Sequence, residues 1–345
     1  MHDYLHTPVV PFAVEATDDV AAALRKLAGT SFQGRNLGRA LDIWLRMLAD
    51  DTTIFFGLAG AMVPAGMRKV IAYLIENRYI DVLVSTGANL FHDLFEVLGH
   101  PHYQGSPNAD DAALHRAGVL RFHDVFASDN DFDVADDYAT AFASSLDEGQ
   151  LYTTRQFFYL LGQKLAADAR EDGILTTAAR CGVPIHCPAF GDSAYGMDVA
   201  RARARDGKRI VFDTIADVLE TARIALATAD RSAATGVVYV GGGTPKNFIQ
   251  QTEVAGYIFG RELGGHRYAI QITTDAPHWG GLSGCTFEEA VSWGKIAPEA
   301  RMTTVNADAT IALPLLATAL AASGAELAQK RRRPTFALDG DSVLP

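Results

Sequence analysis

Short apolar runs that alternate with helix-like stretches constrain the fold of this chain most strongly. The runs are rich in β-branched residues and end in small or polar residues; they lie at 53–57, 80–86, 183–188, 209–213, 237–240, 268–273 and 302–305. Apolar residues at helical spacing lie between them, for example at 66–77, 214–229 and 308–322. Continuous apolar strands alternating with helices are typical of a parallel sheet covered on both faces. The sequence therefore predicts an α/β fold.

The chain of 345 residues is predicted to form one large domain with additions at both ends. Before residue 50, Leu24 and Leu27, and then Leu37, Leu41 and Trp44, recur at steps of three and four residues, which predicts two helices. No tandem repeat, low-complexity tract or Pro/Ser-rich linker divides the chain. We predict a helical N-terminal arm at 1–50, a domain at 51–325 and a C-terminal tail at 326–345.

The charge and hydropathy of the chain argue against two classes of partner. Thirty Lys+Arg residues against 41 Asp+Glu give a formal net charge of −11, which repels nucleic acids and anionic membrane surfaces at long range. The basic run at 330–333 is interpreted as a solvated tail. The N-terminus has no basic segment followed by an apolar one, and the longest apolar stretch, 311–322, is interrupted by Pro314. We expect neither nucleic acid nor a membrane as a partner.

The cysteines and histidines predict neither disulfides nor a metal site. The chain has three cysteines, Cys181, Cys187 and Cys285, and they form no C-x-x-C pair. Three cysteines are too few to stabilise a chain of this length by disulfide bonds. They favour a reducing, cytoplasmic location, and we interpret Cys187 and Cys285 as small buried thiols. His100 and His102 have no carboxylate or cysteine at ligand spacing, so they are interpreted as solvated loop residues and not as zinc ligands.

Small residues follow three of the predicted strands. These segments are Gly57-Leu58-Ala59-Gly60-Ala61, Ser85-Thr86-Gly87-Ala88-Asn89 and Gly241-Gly242-Gly243. Such strand ends let a pyrophosphate approach main-chain N–H groups and a helix N-terminus, although any one of them alone is more typical of a tight turn. The G-x-G-x-x-G and G-x-x-x-x-G-K-[ST] motifs are both absent. Together the three segments indicate a nucleotide held at an atypical site.

The strongest chemical signal is the segment 289–296, Glu-Ala-Val-Ser-Trp-Gly-Lys-Ile. If 287–293 is helical, Glu289 and Trp293 lie on one face, beside Lys295, which follows the flexible Gly294. An uncharged lysine beside an indole ring attacks carbonyls and imines, and a carboxylate holds a substrate ammonium. On spacing alone, a surface lysine beside a core tryptophan is the more common arrangement. The segment therefore indicates an amine site with a purely structural alternative.

The segment 289–296 resembles the active-site segment of deoxyhypusine synthases. The resemblance extends along the chain to Asp81-Val-Leu-Val-Ser-Thr-Gly87, Pro188-Ala-Phe-Gly-Asp192, Val240-Gly-Gly-Gly243 with Lys246, and Asn306-Ala-Asp308-Ala309 with Pro314-Leu-Leu316. It covers roughly 50–316 and is most similar to the divergent, deoxyhypusine synthase-like branch common in bacteria.

The resemblance implies a Rossmann-like parallel sheet, an NAD-binding domain at 51–325 and a homotetramer with active sites across a dimer interface. It implies that NAD oxidises a polyamine such as spermidine to an imine, whose aminobutyl group passes to a lysine and then to an acceptor amine before reduction. Lys295 is then the imine-forming lysine, Trp293 an aromatic wall, and Glu289 and Tyr268 substrate contacts. The implied NAD contacts are Ser85, Thr86, Gly87, Asp192, Gly241, Gly242, Gly243, Ser283, Asp308 and Ala309.

Several positions depart from the family pattern. Asn247 stands where deoxyhypusine synthases have a histidine, and an amide is not a base near neutral pH. Leu282 stands where the family has a substrate-binding aspartate, and Trp279 stands where it has an aspartate on the NAD side. The aspartate expected at Met197 is displaced to Asp198, which we predict to be a substrate contact. These changes predict a remodelled pocket for the donor and the acceptor.

We therefore expect an NAD-dependent aminoalkyl transferase with a polyamine donor and a small amine acceptor, as in homospermidine synthases, with Asn247 beside Lys295 in the catalytic site. The alternatives are a true deoxyhypusine synthase that modifies a protein lysine, and a protein that binds NAD or a polyamine without turnover. Asn247 and Leu282 favour the non-catalytic alternative, whereas the complete Trp293-Gly294-Lys295 segment favours the enzyme.

Overall fold

A six-stranded, all-parallel sheet forms the centre of the chain. The structure is a computed structural model and describes residues 5–338. The strands, in chain order, are β1 (Thr53–Leu58), β2 (Val82–Ser85), β3 (Tyr103–Gln104), β4 (Val119–Phe122), β5 (Val125–Ser128), β6 (Leu151–Tyr152), β7 (Ile185–His186), β8 (Val211–Phe212), β9 (Thr235–Val240), β10 (His266–Thr273) and β11 (Ile296–Asn306). The central sheet has the order β11-β10-β9-β1-β2-β7, and every neighbouring pair in it is parallel.

Helices cover both faces of this sheet. In chain order they are α1 (Val20–Ala28), α2 (Phe32–Ala49), α3 (Arg68–Glu76), α4 (Gly87–Val97), α5 (Asp111–Arg116), α6 (Asp129–Ser145), α7 (Thr154–Asp168), α8 (Ile174–Cys181), α9 (Ala194–Asp206), α10 (Thr214–Asp230), α11 (Gly243–Ile258), α12 (Phe287–Ser292), α13 (Ala309–Ser323) and α14 (Ala325–Lys330). The predicted α/β fold, a Rossmann-like parallel sheet with helices on both faces, is confirmed.

Alternate side chains of each strand enter two separate apolar cores, because successive residues of a strand point to opposite faces. Phe55 of β1 lies in one core with Ile249 of α11. Phe56 lies in the other core with Trp44 of α2 and Leu313 of α13. Burial on both faces explains why these strands are continuously apolar in the sequence.

The strand order changes direction between β1 and β9. The chain proceeds from β1 to β2 on one side of this boundary and from β9 to β10 on the other. In an open parallel sheet, the loops at such a boundary diverge and leave a crevice outside the carboxyl ends of the strands. The segments 59–62 and 241–243 therefore flank the place where the fold favours a ligand.

One predicted strand does not belong to the central sheet. The run at 209–213 forms only the short strand β8, which pairs with β6 in a separate two-stranded sheet. Val211 is exposed and Phe212 half-buried, so this strand lacks the two covered faces of the central strands. Strands β3, β4 and β5 form a small antiparallel sheet between α4 and α6 in the chain.

The two helices predicted for the N-terminal arm are present as α1 and α2. Helix α2 packs against β10, β11 and α13, and the Trp44 indole N–H donates to the Tyr79 carbonyl at 3.1 Å. Near its other end, the Asn36 side-chain amide donates to the Thr304 carbonyl at 2.9 Å, and Gln33 Oε1 accepts from the Asn306 N–H at 2.7 Å. Helix α2 therefore fixes the end of β11.

The basic run at 330–333 is not wholly solvated, which corrects the prediction for Arg331. The buried Arg331 guanidinium pairs with Asp81 at 2.7 Å and donates to the carbonyls of Thr52 and Arg78 at 2.8 and 2.7 Å. A charge enters a protein interior when a partner charge and hydrogen bonds replace its water, and a sequence pattern does not reveal that partner. The chain beyond α14 is thus fastened to the loop before β2.

Replacing Arg331 by alanine is expected to lower the free energy of unfolding by about 3 kcal/mol, because the buried Asp81 would lose its nearer partner charge and keep only Arg78, whose Nη2 lies 3.5 Å away. Arg332→Ala, on the exposed neighbouring residue, is the matched control and is expected to have little effect. Chemical denaturation measures both variants. Equal losses of stability in the two would contradict the assignment.

Candidate functional site

A cavity of about 290 Å³ lies beside Lys295 and is called the Lys295 cavity below. Its lining combines charged, aromatic and apolar side chains, among them Gln250, Leu282, Cys285, Glu289, Trp293 and Lys295. The segment 277–281 contributes further lining residues. The three residues that carry the strongest signal in the sequence, Glu289, Trp293 and Lys295, are therefore brought to one cavity, and their roles remain predictions.

The local sequence explains how α12 presents these side chains. The Thr286 hydroxyl caps the helix by accepting from the Glu289 N–H at 3.1 Å. Gly294 has φ of 67°, a left-handed conformation that favours glycine, and it ends the helix so that the chain enters β11. The Lys295 carbonyl accepts from the His266 N–H at 3.1 Å, which fixes the lysine backbone to β10.

Lys295 lies against the indole ring of Trp293. Its Nζ is 5.3 Å from the ring centroid, within the range of a cation–π contact. Trp293 itself is 67% exposed and Glu289 is exposed. The tryptophan is thus not a core residue, and the purely structural alternative of a surface lysine beside a core tryptophan is wrong.

A second lysine lies buried behind the Lys295 cavity. Lys246 of α11 donates to Gln271 Oε1 at 2.9 Å and to the Cys285 carbonyl at 2.5 Å. The Gln271 amide in turn donates to the carbonyls of Gly241 and Ser283 at 2.8 and 2.7 Å. Burial lowers the pKa of Lys246 to about 8. This network ties β10, the start of α11 and the segment 283–285 into one unit.

The sequence alone did not identify Gln271 as a member of this hydrogen-bond network. The signal that could have revealed it is a polar side chain inside the apolar strand 268–273, where an unpaired amide would be costly to bury. Lys246 was noted as part of a motif, but its burial was not anticipated.

The end of β9 approaches the Ser283 segment closely. Gly241 and Gly243 have positive φ, and the Gly243 N–H donates to the Ser283 hydroxyl at 3.0 Å. At Gly242 a Cβ atom would lie 2.6 Å from Ser283 Cα, closer than atoms pack, so the backbone contact requires glycine. Helix α11 starts at this point, at the same edge of the sheet.

Asn89 connects the loops that follow β1 and β2 and was not singled out in the sequence. Its side-chain amide donates to the Gly60 carbonyl at 2.7 Å and to the Thr86 hydroxyl at 3.0 Å. Its side-chain oxygen accepts from the Val63 N–H at 3.1 Å. These bonds hold the predicted cofactor residues Ser85, Thr86 and Gly87 against the neighbouring loop.

A larger cavity, of about 730 Å³, lies where the loop after β1 meets the start of α13. Its lining includes Ala61 and Met62 from that loop, His102 and Tyr103, and Asp308. The Asp308 carboxylate caps α13 by accepting from the Thr310 N–H at 2.8 Å, and it remains exposed. Ala309 is buried in the first turn of that helix. We call this space the Asp308 cavity.

His102 is not a solvated loop residue, which corrects its interpretation. Its side chain is 6% exposed; Nδ1 is 2.7 Å from Glu96 Oε1, and Nε2 is 2.9 Å from His92 Nδ1. Rings of Phe95 and Phe122 pack around the pair. The aromatic residues that enclose it are distant in sequence, so its position could not be inferred from the His-Pro-His spacing.

Two predicted substrate contacts are not among the residues that line the Lys295 cavity. Tyr268 is near the amino end of β10, about 16 Å of strand before Thr273, and its hydroxyl donates to Asp50. Asp198 is buried between α9 and α6 and accepts from the Thr140 hydroxyl at 3.3 Å, and burial raises the pKa of its carboxyl to about 7. Met197 is exposed, whereas the neighbouring Asp198 carboxylate is buried. Asp198 therefore does not place a carboxylate where the family pattern has one at position 197.

Asn247 and Asp192 follow the carboxyl ends of β9 and β7, and neither lines the Lys295 cavity or the Asp308 cavity. Asn247 is half-buried on α11, next to Lys246, and Asp192 is exposed on the turn Phe190–Asp192 that follows β7. The structure thus places Asp192 and the other predicted cofactor residues at the carboxyl ends of β2, β7, β9, β10 and β11. It assigns no ligand to any of them.

Among residues 5–338, one set of side chains has the spacing of a metal site: His186, Asp217 and Glu220. All three are buried, but Glu220 pairs with Arg155 at 2.7 Å, and Asp217 accepts from the Thr154 N–H at 2.9 Å. His186 Nδ1 lies 3.0 Å from Asp217. The carboxylates already have protein partners, and the expectation of no metal remains a prediction.

In the described part of the chain, no helix combines the length and apolar character needed to cross a membrane.

Comparisons with known proteins match nearly the whole chain. The family model described as "Deoxyhypusine synthase" matches residues 22–320. A "Probable deoxyhypusine synthase 2" of Methanosarcina acetivorans is 50% identical over 343 residues, covering 99% of this chain and 97% of that protein. A "Deoxyhypusine synthase-like protein" of the bacterium Elusimicrobium minutum is 35% identical over 308 residues, covering 88% and 80%.

A solved structure shares the fold. The crystal structure described as a "putative deoxyhypusine synthase" from Entamoeba histolytica superposes with a TM-score of 0.59, at 19% identity, over 89% of this chain and 94% of that one.

Proposed function

Because the chain belongs to the deoxyhypusine synthase family, we propose that it is an NAD-dependent aminoalkyl transferase that works in the cytoplasm. The proposed donor is a polyamine such as spermidine, from which a 4-aminobutyl group passes through an imine on Lys295. The proposed acceptor is a small amine. The observation that carries the proposal is the Lys295 cavity, where a lysine, an indole and a carboxylate meet.

The residues of this cavity suit amine chemistry. Glu289 supplies a carboxylate for a substrate ammonium, and the Trp293 ring covers an aliphatic chain while contacting cations through its face. The Lys295 amine forms a bond to the oxidised carbon of the donor, and the remainder of the donor leaves as an amine. The acceptor amine then displaces Lys295, so the lysine is regenerated.

The carboxyl ends of β9 and β2 fit a dinucleotide. Gly242 keeps the main chain in contact with Ser283, and α11 and α4 begin at these strand ends without a hydrogen bond from an N-cap side chain, which suits a pyrophosphate. Asp308 borders the Asp308 cavity at the end of β11, where a carboxylate suits ribose hydroxyls, and Ala309 follows it in the first turn of α13. NAD, when bound, supplies the acceptor for a hydride from the donor amine and returns it to the product. Ser85, Thr86, Gly87 and Asp192 complete the proposed contacts.

The apolar rim of the Lys295 cavity supports a small amine as acceptor. Leu282 lines this cavity, and Trp279, which is 74% exposed in the adjoining segment, likewise offers no charge to an acceptor. Asn247 cannot accept a proton near neutral pH; it does not line the cavity but precedes the lining residue Gln250 on α11, and we propose that its amide orients the acceptor amine. Trp279, Leu282 and Trp293 are exposed apolar side chains, which supports subunit association, and we propose a homotetramer.

NAD is expected to raise the melting temperature of the protein, since a ligand that binds the folded state stabilises it by mass action. Gly242→Ala should strongly reduce this shift, because the added Cβ displaces Ser283. Gly149→Ala, in an exposed turn, is the control and should retain the shift. No shift at millimolar NAD, with or without a polyamine, would refute the cofactor assignment.

Purified protein given NAD and a panel of amines is expected to form aminoalkylated products that mass spectrometry detects. Lys295→Ala and Lys295→Arg should abolish transfer yet retain NAD binding, because neither side chain forms an imine. Lys330→Ala, on a 73% exposed lysine, should transfer normally. Transfer that persists in either Lys295 variant would contradict the covalent route.

A further inference from the structure

A third cavity, of about 300 Å³, shares Trp293 with the Lys295 cavity and has no role so far. Its other lining residues come from the second half of α11, from the loop that follows this helix, and from the start of β11. Among them are Glu253, Tyr257 and Glu262. We call this space the Glu253 cavity.

Glu253 is a buried carboxyl group that forms no ion pair with a Lys or Arg among residues 5–338. It is 5% exposed, and it accepts from the Gly265 N–H at 3.1 Å and from the Thr235 hydroxyl at 3.2 Å. His266 Nδ1 lies 3.2 Å away, but burial lowers the pKa of His266 to about 3, so this ring is uncharged near neutral pH. A buried carboxylate is stabilised by a positive charge beside it, which a cationic ligand would supply.

The groups that approach Glu253 from its other side also leave its charge uncompensated. A smaller cavity, of about 160 Å³, reaches Glu253 and is lined by Arg267 and Glu299, both of which are exposed. Arg267 forms no ion pair with Glu253 in the described part of the chain. Burial raises the pKa of Tyr239 in β9 well above its usual range, so its phenol stays uncharged.

The remaining lining of the Glu253 cavity suits an aliphatic ammonium. No Lys, Arg or His of the described chain lines it, and Glu262 adds an exposed carboxylate. Tyr257 and Trp293, 69% and 67% exposed, are aromatic rings, which attract cations through their faces. Apolar residues that suit a methylene chain complete the lining: Val254, Leu263, Val291, Ile296 and Pro298.

We propose that the Glu253 cavity is a second amine site, which holds an aliphatic amine with its ammonium paired to Glu253 and its methylene chain against Tyr257 and Trp293. The Lys295 cavity keeps its own amine, so the protein binds two amines at once. Because Trp293 lines both cavities, an amine in the second restrains the indole beside Lys295. This inference goes beyond the proposed function and does not require turnover.

Calorimetry with 1,4-diaminobutane tests the inference, with NADH present so that the amine is not oxidised. The wild-type protein is expected to bind two equivalents of the diamine and none of the uncharged butane-1,4-diol. Glu253→Gln should weaken one of the two binding events about tenfold or more, because a charge-assisted hydrogen bond is lost. Glu289→Gln should weaken the other. Glu288→Gln, on an exposed residue of α12 that lines neither cavity, is the matched control and should bind like the wild type.

The Glu289→Gln protein allows the second site to be measured alone. Burial raises the pKa of Glu253 to about 7, so about a tenth of this carboxyl is ionised at pH 6. Only the ionised form pairs with an ammonium, and diamine affinity should therefore rise about tenfold between pH 6 and pH 8. Adding Tyr257→Leu should weaken the same binding about two- to fivefold, which tests the site without altering the buried carboxyl group.

Unchanged stoichiometry and affinity in Glu253→Gln would overturn the inference, and so would equal binding of the diol, because the site would then not recognise charge. A single wild-type equivalent that Glu253→Gln removes would support the second site and contradict the assignment of the Lys295 cavity. A single equivalent that only Glu289→Gln removes would do the reverse.

Discussion

The reversal of strand order between β1 and β9 is the constraint on which the arrangement of the candidate site depends. Parallel strands bring their carboxyl ends to one edge, and at the reversal the following loops separate. The glycine segment 241–243 and the loop at 59–62 lie on either side of this opening. Hydrogen bonds of Gln271 and Asn89 then hold the neighbouring strand ends in place. The Asp308 cavity, which Ala61 and Asp308 line, lies at this edge.

Lys246 and Lys295 illustrate how the same side chain acquires different tasks from its surroundings. Lys246 is buried and donates to Gln271 and the Cys285 carbonyl, so its amine is occupied in holding the protein together. Lys295 is half-buried, lies against an open indole ring and faces a cavity. Only the second arrangement leaves an amine accessible to an amine-derived substrate. The buried lysine contributes instead a fixed positive charge behind the cavity.

The strands and the Lys295 segment could be predicted because local sequence determines them. Strands covered on both faces must be apolar, and Gly294 ends α12 in a conformation that glycine adopts readily. The misplaced residues depend on contacts between distant parts of the chain. Arg331 is buried because Asp81 lies opposite it, and Tyr268 donates to Asp50, which is more than 200 residues away in the chain, instead of lining the Lys295 cavity. Neither partner is visible in the local pattern.

The central claim is that Lys295 carries the transferred group, and reductive trapping tests it most directly. Borohydride added during turnover with NAD and a polyamine converts a lysine imine into a stable secondary amine, which peptide mapping by mass spectrometry locates. The covalent route predicts one aminoalkyl adduct on the peptide that contains Lys295, absent when NAD is omitted. Transfer product without any adduct, or an adduct on Lys246 instead, would contradict it.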